Sequence, residues 1–283
     1  VPAVRTGYEE SNMALWEIAL PADKEVELVL EYGGFPRDWN IASTRQGEPE
    51  ISGEYVCLEN QNLAPYLLNV LPGDEGYPTT VEVTLPGAML AIPFGTSEAE
   101  VMAEHRDGTR TWRYASNSTG GILYAGDYVR QDIQAGGMTI EFYYGRKHQA
   151  VMEAAGAADA VRAVVDYCTE HYGALSFGTG DTLKLIQSRV AGGGYAVDGA
   201  SLLNEEDFTT ANLDDTGKGA IPGEVFIHEL VHQWWGLGNM FDAADETSPW
   251  SSEGLTVYTT YRIVKELYGE DYAQKHYVDQ WQQ

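Results

Sequence analysis

Two hydrophobic rhythms divide the chain. Up to about residue 147, apolar and polar positions alternate over short stretches: Leu15-Trp16-Glu17-Ile18, Val26-Glu27-Leu28-Val29-Leu30, Glu54-Tyr55-Val56-Cys57-Leu58, Val81-Glu82-Val83-Thr84-Leu85 and Thr139-Ile140-Glu141-Phe142-Tyr143. Turn residues punctuate them at Gly33-Gly34, Pro72-Gly73, Pro86-Gly87 and Gly136-Gly137. A period of two between turn signals predicts strands, here an antiparallel sheet or sandwich. From about His148 the period lengthens. Ala157, Val161, Val164, Val165, Cys168 and Tyr172 fall at helical spacing, and Gly173 is the expected stop. A strand follows at Thr182–Ile186, then the glycine-rich Ala191-Gly192-Gly193-Gly194-Tyr195, a strand around Ala200–Leu203 and an acidic loop through Asp214 and Asp215. Two helices close the chain. One spans Glu224–Trp235; the other runs from about Ser252 to Tyr268, capped by Ser251 or Ser252 and stopped by Gly269. The expected architecture is therefore α+β: a β-rich domain at 1–147 and a mixed α/β domain at 148–283.

Composition narrows the class. Hydrophobic residues make up 43% and charged residues 21%, ordinary for a folded protein. No stretch approaches the roughly 18 apolar residues that span a bilayer. The formal charge of −26, from 43 acidic against 17 basic residues, repels phosphate backbones and anionic lipid, which argues against nucleic-acid and membrane-surface partners. Cys57 and Cys168 fall in different expected domains and outside any Cys-x-x-Cys pair, so both read as small apolar core residues. The opening Val1-Pro2-Ala3-Val4-Arg5 has neither an initiator Met nor a signal-peptide profile. The expectation is a piece of a longer gene product of undetermined compartment, with an extracytoplasmic or membrane-tethered location plausible and a cytoplasmic one not excluded.

Candidate chemistry concentrates in the last sixty residues. In Glu224–Trp235, His228 and His232 lie four apart on one helical face, where two imidazoles can meet one ion. Glu229 follows the first His and points toward the same ion, placed to take a proton from a water there without being a ligand. Zinc in catalytic sites takes three protein ligands of this kind and leaves a fourth position open. Glu253, in Trp250-Ser251-Ser252-Glu253-Gly254, supplies a third donor from the first turn of the next helix. The expectation is one zinc ion on His228, His232 and Glu253.

The blocks His228-Glu229-Leu230-Val231-His232-Gln233-Trp234-Trp235-Gly236 and Trp250-Ser251-Ser252-Glu253-Gly254-Leu255 resemble the HELxHQWxG and WxxEG motifs of the aminopeptidase N family of gluzincin zinc peptidases. The resemblance implies an N-terminal saddle domain followed by a thermolysin-like catalytic domain, peptide substrates, His228, His232 and Glu253 as zinc ligands, and Glu229 as general base.

Three features depart from the family pattern. The 20 residues between His232 and Glu253 are two more than usual, which a loop around Asp242–Ser248 absorbs. The family's GxMEN strand, which holds the substrate amine, corresponds to Gly193-Gly194-Tyr195-Ala196-Val197, with Ala196 in place of the Glu. Gly193, Gly194, Tyr195, Ala196 and Asp198 are thus the candidate substrate-binding residues. Asp198, Glu59 or Gln61 could replace the missing carboxylate, and amine recognition is expected to be relaxed or altered. Finally, the family's oxyanion-stabilising Tyr lies further beyond the third ligand than the 30 residues that follow Glu253 here. Losing one such donor costs about 100- to 1000-fold in rate, so this chain alone is expected to be weak or inert. The alternative reading is a non-catalytic, zinc-containing peptide-binding or regulatory module.

Overall fold

A computed structural model describes residues 3–10, 13–21, 27–34, 50–59, 79–93, 98–116, 122–175, 182–188, 194–197, 199–205, 224–238 and 249–282. The N-terminal half is antiparallel, as its alternation predicts. Strands β1 (Ala3–Glu10) and β2 (Met13–Ile18) form a hairpin. Strands β3 (Glu50–Ile51), β4 (Tyr55–Glu59), β5 (Thr79–Pro86), β6 (Leu90–Ile92), β7 (Glu100–Glu104), β8 (Thr109–Ser116) and β9 (Ile122–Gly126) make two sheets, ordered β3-β4-β9-β6 and β5-β8-β7. Val56, Leu123 and Ala125 from the first pack against Leu85, Trp112 and Tyr114 from the second, a sandwich core built from every other residue of each strand. One expected strand fails: Glu27–Leu30 joins no ladder, and Leu28, Val29 and Leu30 are exposed. Val26 lies outside the described residues, as do Pro72-Gly73 and Asp214-Asp215.

The third sheet carries the site. Strands β10 (Tyr128–Ala135), β11 (Met138–Gly145), β12 (Thr182–Ser188), β13 (Gly194–Val197) and β14 (Ala200–Asn204) are ordered β10-β11-β12-β14-β13. The two central pairings, β11–β12 and β12–β14, are parallel, and β10 and β13 run antiparallel at the edges. Gly136 and Gly137, both at positive φ, make the two-residue β10–β11 turn that only such residues form without strain. On one face, Phe142, Leu183, Leu185 and Leu203 pack against helices α1 (Gln149–Ala154), α2 (Ala157–Tyr172), α3 (Glu224–Val231) and α4 (Glu253–Tyr268). Val161, Val164 and Val165 of α2 fill that interface at the spacing read from the sequence, with the fully buried Cys168 beside them. On the other face, Tyr143, Ile186 and Leu202 meet Tyr55, Ile92 and Tyr124, and the half-buried Cys57 packs at the edge of this cluster.

The break read at residue 147 falls between β11 and α1, inside this unit. The rhythm changes there because strand gives way to helix, yet the sheet on which the helices pack takes two of its strands from before that point. Among the described residues, no helix is long and apolar enough to cross a membrane.

Candidate metal centre

Helix α3 presents its apolar residues Phe226, Ile227, Leu230 and Val231 to the core, which fixes the helix azimuth and leaves His228 and His232 facing α4. It is shorter than the expected Glu224–Trp235. After His232 the backbone tightens: the Gln233 N–H bonds Leu230 O and the Trp234 N–H bonds Val231 O, three residues back rather than four. Gly236, at φ +91°, then turns the chain away. A Cβ there would stand 2.4 Å from Ser252 Oγ, so the turn can approach the start of α4 only as glycine.

That approach brings Glu253 to the two histidines. His228 Nε2 and His232 Nε2 lie 3.0 Å apart. Glu253 Oε2 is 3.2 Å from the first and Oε1 is 3.5 Å from the second. Ligands at about 2.0–2.2 Å from a tetrahedral ion sit roughly 3.3 Å from one another, so these separations are those of a coordination shell. The donor set, two imidazoles and a carboxylate, is also the one zinc takes when a position is kept open. Burial pushes the His228 imidazolium down and neighbouring His232 adds to the shift, while Glu253 opposes them. The outcome favours the neutral ring, the form that ligates metal. On the far side of His232, Nδ1 lies 3.1 Å from Trp235 O and 3.3 Å from Thr256 Oγ1. A proton on Nδ1 leaves Nε2 bare toward His228 and Glu253, as a metal ligand would need, and fixes the ring's orientation. Glu253 is 53% exposed, so the group opens to solvent on its side. Ser252, one of the two capping candidates, occupies the N-cap position of α4, and its hydroxyl makes no cap bond.

Glu229 is buried beside this triad and rests on the edge hairpin. A Cβ added to Gly194 would fall 2.6 Å from Glu229 Cγ and 2.5 Å from Leu202 O. Gly194 therefore gives the Glu229 side chain its seat. Ala196, paired with Ser201, shares the face of β13 that looks toward α3 and is half-buried. Gly193, Asp198 and Gln61 lie outside the described residues, as do the side chains of Tyr195 and Glu59; of the latter two, the backbone lies in β13 and β4 respectively. Sequence reasoning missed Ser201, whose hydroxyl donates to Glu229 O at 2.8 Å, and Thr256. The first gives no local signal. The second was findable, since three residues past Glu253 it shares a helical face with that carboxylate.

No family model matches the chain, and no curated protein matches it in sequence. Solved structures do. An M1 zinc metallopeptidase from Deinococcus radiodurans aligns over 86% of this chain and 53% of its own, at 20% identity and a TM-score of 0.52. A two-domain M1 zinc metallopeptidase variant bound to L-tryptophan aligns over 80% and 49%, at 22% identity and a TM-score of 0.49. The chain thus spans about half the length of these structures. It has an α+β fold similar to that of an M1 zinc metallopeptidase.

Proposed function

We propose that the chain carries the zinc-binding and proton-transfer groups of a peptidase, aminopeptidase-like but with relaxed or altered recognition of the substrate amine. The observation that carries this reading is the convergence of His228, His232 and Glu253 at ligand-to-ligand separations of 3.0–3.5 Å, beside a buried Glu229. The likeness of the fold to a zinc metallopeptidase agrees with it. When bound, one zinc ion supplies a Lewis acid that polarises the scissile carbonyl and acidifies water. The two imidazoles and the Glu253 carboxylate hold it. Glu229, not a ligand, accepts a proton on its carboxylate as water adds to the carbonyl carbon. It returns that proton to the leaving nitrogen as the C–N bond breaks. Edge strand β13 offers Gly194 and Ala196 along the substrate path, with Gly193, Tyr195 and Asp198 beside them in sequence. The working unit in this reading starts with β10 rather than at residue 148, because the sheet beneath α3 is continuous from there.

Metal analysis and hydrolysis test the reading together. After exhaustive dialysis the protein retains about one zinc per chain, and His232→Ala loses it. The longer gene product is expected to cleave a panel of amino-acid amides and N-acetylated peptides in a chelator-sensitive manner, with free and acetylated peptides at comparable kcat/KM because Ala196 replaces the carboxylate. A preference for the free amine above about 1000-fold, near 4 kcal/mol, would require an unidentified carboxylate, with Asp198→Asn the first variant to test. Zinc retention without cleavage, in this chain and in a longer gene product alike, would favour a peptide-binding module.

A further inference from the structure

Gln233 is fully buried yet polar, and its amide spans the turn of the edge hairpin. Its Oε1 accepts from the Gly199 N–H at 3.3 Å, and its Nε2 donates to Ala200 O at 3.2 Å and to Ser201 Oγ at 3.3 Å. Ser201, also fully buried, donates a hydrogen bond from its hydroxyl to Glu229 O at 2.8 Å. That carbonyl is the one a continuing α-helix would bond to the Gln233 N–H. Here the Gln233 N–H turns to Leu230 O instead, and the Ser201 hydroxyl comes from β14 to meet Glu229 O. The chain of bonds therefore runs from the β13–β14 turn through both side chains to the backbone of Glu229, at the point where the helix tightens between its two histidines and Gly236.

We propose that Ser201 and Gln233 are positioning residues that clamp α3 to the β13–β14 hairpin in the register that seats Glu229 on Gly194. The proposal rests on Glu229 being the base, but the clamp also has a readout of its own. Neither residue touches the reacting atoms. His232 is also held from its far side by Trp235 O and Thr256 Oγ1, and Glu253 stands on α4, so loss of the clamp is expected to move the base more than the metal set. A displacement of about 1 Å at a catalytic group costs on the order of 100-fold in rate.

The test uses the full zinc-loaded chain with Ser201→Ala, and Ser201→Thr as the conservative variant. Four quantities are read: zinc per chain, kcat and KM on a peptide amide, and backbone hydrogen exchange. Ser201→Ala is expected to keep its zinc and a KM within about twofold of the parent, with kcat down about 10-fold or more. Exchange should quicken about 10-fold in peptides covering α3 and β13–β14, and stay unchanged in β10–β12 and α2. Ser201→Thr, which retains the hydroxyl, should restore both. A general loss of stability would quicken exchange everywhere and leave kcat unmoved at low temperature, which would overturn the proposal. So would parental kcat with parental exchange, or loss of zinc in step with kcat. If the parent cleaves no peptide, the peptidase reading fails by itself and exchange alone judges the clamp: parental exchange in Ser201→Ala overturns it. If Ser201→Ala does not fold, Gln233→Met, which removes the bridging amide, is read by the same criteria.

Discussion

Gly194→Ala adds a single methyl group at the point where edge strand and proposed base meet. Gly194 does not lie in the left-handed region, so the substitution acts through space rather than through backbone strain. The new Cβ would meet Leu202 O at 2.5 Å, Glu229 Cγ at 2.6 Å and Glu229 Cδ at 3.1 Å. Carbon atoms in contact prefer about 3.5–4.0 Å, so Glu229 has to retreat by roughly 1 Å. Leu202 O cannot yield as easily, because Leu202 lies in the β14 ladder opposite Tyr195. Overpacking of this kind costs about 1–3 kcal/mol of stability. A 1 Å retreat of the base costs about 100-fold in kcat. The assay compares parent and variant for zinc content, urea-unfolding midpoint and turnover of one peptide amide at saturating substrate. Zinc retained, a lowered midpoint and kcat down about 100-fold are expected. A kcat within about threefold of the parent would show that Glu229 does not work from its seat on Gly194, and would refute the reasoning.

Thr256→Val removes one of the two groups facing His232 Nδ1 while leaving Trp235 O, and should weaken zinc binding by about 10-fold in competition with a chelator. Unchanged affinity would remove Thr256 from the support of the ligand. Zinc-free protein should lose stability as pH falls through about 6.5, the ordinary value for His228. Burial and His232 hold the folded imidazolium below that value, so the unfolded chain binds more protons there and gains on the folded state until the folded pKa is passed. Urea unfolding of chelated parent and His228→Asn at pH 7.5 and 5.5 isolates this term. A parent whose stability falls no more than the variant's would contradict it.

The sequence showed the ends of the site better than its middle. The i, i+4 histidines and the first-turn Glu253 are local patterns, and the structure brings their ligand atoms together despite the longer connection between them. Helix α2 and strands β5, β11 and β12 were legible because their apolar period is regular, and β14 because it follows a glycine-rich stretch as a short, largely apolar run. Strands β6, β7 and β13 are only three to five residues long and carry too few positions to establish a period. The end of α3 was misread because Gln233, Trp234 and Trp235 continue a good helical pattern. What ends the helix is bonding at a distance in sequence: the Ser201 hydroxyl on Glu229 O, the Gln233 amide on the hairpin, and Gly236 packed on Ser252. The change of rhythm at 147 falls within one sheet for a related reason. Residue rhythm reports which element a segment forms, whereas the parallel pairing of β11 with β12 is set across the intervening helices.

The central claim is that Glu229 moves the proton while His228, His232 and Glu253 hold the ion, and Glu229→Gln tests it most directly. The amide preserves the shape of the side chain and can still hydrogen-bond water, but it cannot accept water's proton. Zinc content and turnover are measured on the same preparations of parent and variant, both made in the longer gene product. The expected result is one zinc per chain in both and turnover lowered by about 1000-fold or more in the variant. Near-parental turnover with zinc in place would contradict the account.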